Sequence, residues 1–214
     1  MSSLPTPTLM LVTDRRLAGG EDALVRAVAE AVEGGVNVVQ LREKDLPPAA
    51  LLPLACRLRE VTRGRALLLV NGPVDVALDS EADGVHLPED APMISRPSPG
   101  FLVGRSVHSV DAARRAVAEG VDYLVAGPVY ATLSHPDGPA AGVELISRIV
   151  GEVPVSVIAI GGITVECAPE VILAGAAGVA VISAILDARD YGDGALALRE
   201  VLDAAWSGVR QVAP

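Results

Sequence analysis

The chain has 214 residues, of which half are hydrophobic and only 2% aromatic, and its formal net charge is −10. This length allows one barrel-sized domain or two small ones, and the acidic balance without a basic run argues against nucleic acid and anionic membrane surfaces as partners. The sequence holds a single lysine, Lys44, and two distant cysteines without metal-type spacing. We expect a cytoplasmic protein in a reducing compartment, with no signal peptide and no membrane span.

Short β-branched and aliphatic runs recur along the chain and alternate with helix-like segments. The predicted strands are Thr8–Val12, Val36–Leu41, Ala66–Val70, Gly84–Leu87, Phe101–Gly104, Asp122–Ala126, Val155–Ile160 and Gly178–Ser183. The predicted helices are Glu21–Glu33, Pro47–Arg63, Val74–Ser80, Ser109–Glu119, one that ends at Gly151, Thr164–Ala174 and a last one that ends at Trp206.

Eight strands in regular alternation with helices predict a single (β/α)₈ barrel over residues 1–214, with residues 1–7 as a loose N-terminus. Val155–Ile160 has almost no polar alternation, which is typical of a strand buried on both faces. The alternative is a doubly wound open sheet, although its glycine motif usually follows the first strand rather than the seventh.

Polar side chains stand where the predicted strands end, and in a barrel this is the face that carries active sites. Gln40, Arg42 and Lys44 alternate at the end of the second strand, so they point to one side. The two cations favour a phosphorylated small-molecule ligand, and ion pairing with Glu43 or Asp45 is the alternative. The other candidates at strand ends are Asn71, His86, Ser106, His108, Thr132 and Ser134.

The last two predicted strands end in a way that suits an anion. Gly161 and Gly162 leave backbone N–H groups open to close approach, and Ile182 and Ser183 add further N–H groups and a hydroxyl. Such paired strand ends predict a phosphate site after strands seven and eight of a barrel. Two tight turns without a ligand are the alternative.

Seven segments, in this order, together resemble the thiamin phosphate synthase/TenI family over roughly residues 8 to 190. They are Leu11–Asp14, Gln40–Lys44, Val70–Asn71, Ala82–His86, Asp122–Tyr123, Gly127–Thr132 and Ala159–Ile163. The resemblance implies a (β/α)₈ barrel that acts on a thiazole phosphate in thiamin biosynthesis.

Two activities divide this family, and the loops favour one of them. The synthase joins hydroxymethylpyrimidine diphosphate to thiazole phosphate with Mg²⁺ on the diphosphate. Its pattern has a carboxylate where this chain has Gly72, and its loop after the fourth strand is one residue longer than His86–Asp90. The TenI-like pattern is matched instead by Asn71–Leu78, His86–Pro88 and Gly104–Ser109.

The resemblance therefore predicts a thiazole tautomerase, an isomerase that moves a proton and needs no metal. TenI-type enzymes can carry a histidine where this chain has Pro128, so the candidate proton carriers are His108, His86 and His135. One alternative is the synthase, with Asp90 or Glu89 as a Mg²⁺ ligand. The other is a barrel that binds thiamin intermediates without catalysis. The oligomeric state stays open, with a homodimer among the options.

Overall fold

The computed structural model describes residues 3–132 and 140–212, with side chains described as far as residue 209. The strands are β1 Thr8–Val12, β2 Val38–Leu41, β3 Leu67–Val70, β4 Gly84–Leu87, β5 Leu102–Val107, β6 Tyr123–Ala126, β7 Ser156–Ile160 and β8 Gly178–Val181. The helices are α1 Arg15–Ala18, α2 Glu21–Glu33, α3 Pro48–Thr62, α4 Val74–Asp79, α5 Val110–Ala118, α6 Gly142–Val150, α7 Ala168–Leu173, α8 Ser183–Leu186 and α9 Tyr191–Val212.

The strands pair in chain order, all parallel, and close into a barrel through β1 and β8. Thr8 pairs with Gly178 and Leu11 with Val181 at this closure. The predicted (β/α)₈ barrel is confirmed, and the open-sheet alternative is wrong because an open sheet has no such closing pair. All eight strands therefore end on the same face, where their loops lie together.

Strand side chains alternate between two apolar layers because successive residues point to opposite sides of the sheet. Outward-facing residues such as Leu11 and Val39 pack under the helices, while Met10, Val38 and Tyr123 fill the barrel interior. The fully buried strands explain why the sequence shows continuous aliphatic runs instead of polar alternation.

The loose N-terminus predicted for residues 1–7 is wrong from Leu4 onward. Leu4 is buried and belongs to the same inner cluster as Met10, so it closes the barrel at the end opposite the strand-end loops. The carbonyl oxygen of Pro7 accepts hydrogen bonds from Asn37 and Arg199, which hold the segment down. The sequence concealed this contact because Ser/Pro-rich composition was the only local signal.

Several element boundaries also differ from the predicted ones. β5 continues to Val107, because Arg105 and Ser106 pair with Leu124 and Val125 of β6. The short helices α1 and α8 were not predicted, and α9 runs past Trp206 to Val212. No helix in the described ranges is both long enough and apolar enough to span a membrane.

Candidate active site

A cavity of about 200 Å³ opens among the loops at the C-terminal ends of the strands. Its walls contain most of the candidates that the sequence suggested, namely Gln40, Arg42, Lys44, Asn71, His86, Ser106, His108, Thr132, Gly161, Gly162, Ile182 and Ser183. Ser134 and His135 lie outside the described residues. Asp90 lies in a second cavity, between the loop after β4 and α5.

The acidic residues next to Arg42 and Lys44 are bound to other arginines. Glu43 is buried and accepts hydrogen bonds from the Thr13 hydroxyl and from the backbone and side chain of Arg15. Asp45 accepts from Arg15 at 2.6 Å and from Arg16 at 2.7 Å. These bonds hold the pKa of the Asp45 carboxyl far below its usual range. They tie the loop after β2 to the one after β1, so Glu43 and Asp45 fix the loop shape.

Arg42 and Lys44 consequently face the cavity without an ion pair among the described residues. The pKa of Arg42 is lowered chiefly by burial, and the pKa of Lys44 chiefly by the nearby charge of Arg42. An anion that binds beside both groups would stabilise their charged forms, because it offsets the burial of Arg42 and the repulsion that Lys44 feels from Arg42. The alternative in which these residues pair with Glu43 or Asp45 is therefore wrong.

His86 is buried below the cavity floor between two hydroxyl groups. Its Nδ1 lies 3.1 Å from the Tyr123 hydroxyl, and its Nε2 lies 2.8 Å from the Ser106 hydroxyl. Burial, together with the charge of Arg42, lowers the pKa of His86 to about 3. The imidazole is therefore neutral at physiological pH and does not take up a proton there. Sequence reasoning named Tyr123 only as part of a motif and missed its contact with His86.

His108 lies at the cavity rim and is held by Glu89. One carboxylate oxygen of Glu89 accepts both the backbone N–H of His108, at 2.8 Å, and its ring Nδ1, at 2.7 Å. Glu89 itself lines the cavity, and its second carboxylate oxygen has no bond within the described part of the chain. The candidate histidine is thus held by a carboxylate that the sequence considered only as a Mg²⁺ ligand, and its bond to His108 was not predicted.

The turn after β7 brings backbone close to the cavity in a way that needs glycine. Gly161 has φ of 105° and Gly162 has φ of 63°, both in the left-handed region. A Cβ on Gly162 would overlap the carbonyl oxygen of Ala131 and the Tyr130 side chain. The turn therefore packs directly on the loop after β6, and both glycines line the cavity opposite Ser183.

We expect inorganic phosphate to bind at this turn, because clustered N–H groups at strand ends attract anions. Titration of ¹⁵N-labelled protein with phosphate should shift the amide resonances of Gly161, Gly162 and Ser183 more than those of the outer helices. Sodium chloride at matched ionic strength is the control. Shifts of equal size across the surface would contradict a phosphate site at β7 and β8.

The buried imidazole also predicts a pH dependence of stability. The pKa of His86 is about 3 in the folded chain, against an ordinary 6.5, so below pH 6.5 the unfolded chain binds the proton more readily. The free energy of unfolding should fall by up to about 1.4 kcal/mol per pH unit from 6.5 towards 3. Urea denaturation of wild type and His86→Gln at several pH values measures this, and equal slopes for both would contradict it.

Comparison with known proteins identifies the family of this barrel. The sequence profile described as thiamine monophosphate synthase matches residues 9–185. The chain belongs to the thiamine monophosphate synthase family. A Geobacter sulfurreducens protein named putative thiamine-phosphate synthase is 45% identical over 201 residues, which cover 91% of this chain and 94% of that protein. A Methanoculleus marisnigri thiamine-phosphate synthase is 44% identical over 203 residues, covering 92% and 96%.

Solved structures agree with this family assignment. The structure of thiamine phosphate pyrophosphorylase from Pyrococcus furiosus superposes with a TM-score of 0.84 at 38% identity, covering 92% of this chain and 96% of that one. A 3-hexulose-6-phosphate synthase structure superposes with a TM-score of 0.72 at 18% identity, which shows the shared barrel fold alone.

These comparisons overturn the predicted activity. The prediction of a thiazole tautomerase, an isomerase, is wrong. The relatives at 44% to 45% identity are named thiamine-phosphate synthases, and the similar solved structure is a thiamine phosphate pyrophosphorylase. The geometry agrees with this correction. His86 is held neutral, and Pro128, which lines the cavity, stands where the tautomerase pattern has a histidine.

Among the described residues, the cavity of this family member can supply Mg²⁺ with one carboxylate, that of Glu89. Mg²⁺ is commonly held by one or two carboxylates together with substrate phosphates. One carboxylate oxygen of Glu89 has no hydrogen-bond partner in the described part of the chain, and Asn71 also lines the cavity. This donor set fits an ion that the ligand's own phosphates help to hold. Among the described residues, no three His, Cys, Asp or Glu side chains form a metal cluster.

Proposed function

We propose that this protein is a thiamine-phosphate synthase, a transferase that joins hydroxymethylpyrimidine diphosphate to thiazole phosphate and releases diphosphate. The observation that carries the proposal is one cavity that contains two cations without an ion-pair partner among the described residues, together with a separate glycine turn after β7. Its relatives at 44% to 45% identity carry this name, which supports the same reading.

The two anion sites correspond to the two anionic substrates. Arg42 and Lys44 present a guanidinium and an ammonium group, which suit the diphosphate because it carries the larger charge. The N–H groups of Gly161, Gly162 and Ser183 suit the single phosphate of the thiazole, which needs positioning more than neutralisation. Substrates bound in this way meet inside the cavity, and holding two reactants together lowers the entropic part of the barrier.

Uncharged polar side chains between these sites hold the two rings. Gln40 is buried in the barrel wall, and within the described residues its amide nitrogen has one hydrogen-bond partner, the sulfur of Met10 at 3.5 Å. The amide is therefore able to donate to a stronger acceptor on a ligand. Asn71, Ser106 and Thr132 line the same cavity. The aliphatic walls, such as Val12, Val125 and Ile160, exclude water from the reacting atoms.

The leaving diphosphate gains charge as its bond to the pyrimidine methylene carbon breaks. Arg42 and Lys44 stabilise this charge directly, and they do so more strongly inside a partly buried cavity than in water. Glu89 would hold Mg²⁺ on the same diphosphate, where the ion supplies charge neutralisation. Glu89 also fixes His108, whose ring remains at the rim to contact the bound substrate.

The test is product formation from the two purified substrates with Mg²⁺. We expect diphosphate release and thiamine phosphate in equal amounts, and none when either substrate is omitted. A reaction without protein provides the background. If wild type forms no more product than this reaction while it still binds both substrates, the protein binds these compounds without joining them and the proposal fails.

A further inference from the structure

Three polar side chains form a connected path from the barrel interior to the cavity. The Tyr123 hydroxyl contacts Nδ1 of His86 at 3.1 Å, and Nε2 of His86 contacts the Ser106 hydroxyl at 2.8 Å. Tyr123 and His86 are fully or almost fully buried, and only Ser106 at the end of the path is half-buried. Tyr123 does not line the cavity, so any influence it has on a ligand passes through His86 and Ser106.

The Tyr123 ring occupies space in the barrel interior that a side chain at position 104 would otherwise fill. Gly104 of β5 pairs with Tyr123 of β6, and a Cβ on Gly104 would overlap the Tyr123 ring. The ring thereby lies beside His86, with centroids 5.7 Å apart. Burying a hydroxyl in an apolar core is unfavourable unless it is hydrogen-bonded. A phenylalanine would fill this space equally well, so the hydroxyl needs an explanation beyond packing.

The neutral imidazole allows two arrangements of hydrogen atoms along the path. In the first, Tyr123 donates to Nδ1, Nε2–H donates to Ser106, and the Ser106 hydrogen is free for the cavity. In the second, Nδ1–H donates to Tyr123, Ser106 donates to Nε2, and the buried Tyr123 hydrogen has no acceptor in the part of the chain that the structure describes. Leaving that hydrogen unpaired disfavours the second arrangement by about 5- to 150-fold.

We infer that Tyr123 and His86 are positioning residues that fix the Ser106 hydroxyl as a hydrogen-bond donor towards the bound substrate. Ser106 then selects a substrate atom that accepts a hydrogen bond, such as a ring nitrogen or a phosphate oxygen. A substrate with an N–H at that place would face the Ser106 hydrogen and bind poorly. The identity of the substrate rests on the proposed function, whereas the direction of the hydrogen bonds from Tyr123 through His86 to Ser106 does not.

The direction of these hydrogen bonds can be measured without an activity assay, because it determines which ring nitrogen of His86 carries the hydrogen. ¹⁵N NMR of histidine-labelled protein distinguishes a protonated ring nitrogen from an unprotonated one, and the chain has only three histidines. His86→Gln identifies the His86 signals. We expect wild-type His86 to carry its hydrogen on Nε2 near pH 7. A hydrogen on Nδ1 would overturn the inference, even in a protein that proves to be an active synthase.

A double-mutant cycle tests whether Tyr123 acts through Ser106. Tyr123→Phe removes one oxygen and keeps the ring volume, so the barrel should fold. We expect it to raise the Kd for hydroxymethylpyrimidine diphosphate by about 3- to 10-fold in the wild-type background. In a Ser106→Ala background the same change should alter Kd less than 2-fold, because the route to the ligand is gone. Equal effects in both backgrounds would mean a purely structural role and overturn the inference.

Inorganic diphosphate, measured in the same cycle, distinguishes the two kinds of acceptor. If Ser106→Ala weakens binding of inorganic diphosphate as much as binding of the substrate, the acceptor is a phosphate oxygen. If it weakens only the substrate, the acceptor belongs to the ring. If Ser106→Ala leaves the Kd of both unchanged, Ser106 donates to neither and the inference is wrong.

Discussion

Replacing Lys44 by Met should lower kcat/KM for the diphosphate substrate by about 10- to 150-fold, the usual worth of a hydrogen bond to a charged group. Methionine keeps most of the length of the unbranched side chain and removes the charged ammonium group. Lys44 has no ion-pair partner among the described residues, so its removal leaves no orphaned carboxylate and should not unfold the chain. Steady-state kinetics with each substrate varied in turn measures the loss.

The matched control for this variant is Arg26→Met, which removes the same unit charge from the exposed face of α2. It should leave kcat/KM within about 2-fold, because exposed charges farther away than a Debye length are screened. The loss in Lys44→Met should also shrink as salt rises, since screening weakens the wild-type attraction first. A loss of thermal stability with unchanged kcat/KM would mean that Lys44 stabilises the fold and does not bind the ligand.

The barrel was predictable because its signals are local and repeated. Each strand is a short aliphatic run, each helix has an apolar face, and eight repeats average out errors in single boundaries. The boundaries that failed depend on partners distant in the chain. β5 continues through Arg105 because β4 and β6 pair with it, and Leu4 is buried because the barrel interior is open below Met10. Neither cause is visible in a window of a few residues.

The positions of candidate residues were also predictable, since strand ends meet on one face of any barrel. What the sequence could not supply was which charged groups neutralise each other. Glu43 and Asp45 are adjacent to Lys44 along the chain, yet they bind Arg15 and Arg16 from the preceding loop. Likewise, Glu89 lines both cavities, whereas its neighbour Asp90 lines only the second one. Chain proximity does not report which way a loop side chain points.

That division between neighbours gives a second prediction, about Mg²⁺. Glu89 lines the substrate cavity and Asp90 does not. Glu89→Gln should therefore lower the affinity for Mg²⁺ in the presence of hydroxymethylpyrimidine diphosphate. A loss of about 10- to 100-fold is expected, because even a disturbed outer-shell partner has that effect on metal affinity. Glutamine retains a carbonyl oxygen that can accept the two hydrogen bonds from His108, so the loop should keep its shape. Free Mn²⁺ measured by electron paramagnetic resonance reports affinity independently of turnover.

The sequence offered Asp90 as well as Glu89 as the Mg²⁺ ligand of a synthase, so Asp90→Asn is the matched control and also tests the other candidate ligand. Asp90 lines the second cavity together with Arg105, Arg115 and Glu119. Arg42 and Lys44 line the other cavity. Metal affinity in Asp90→Asn should therefore stay within about 2-fold of wild type, because Mg²⁺ needs its ligands at close, near-octahedral positions. If Asp90→Asn loses the metal and Glu89→Gln keeps it, the loop after β4 must rearrange when substrate binds, and the assignment to Glu89 is wrong.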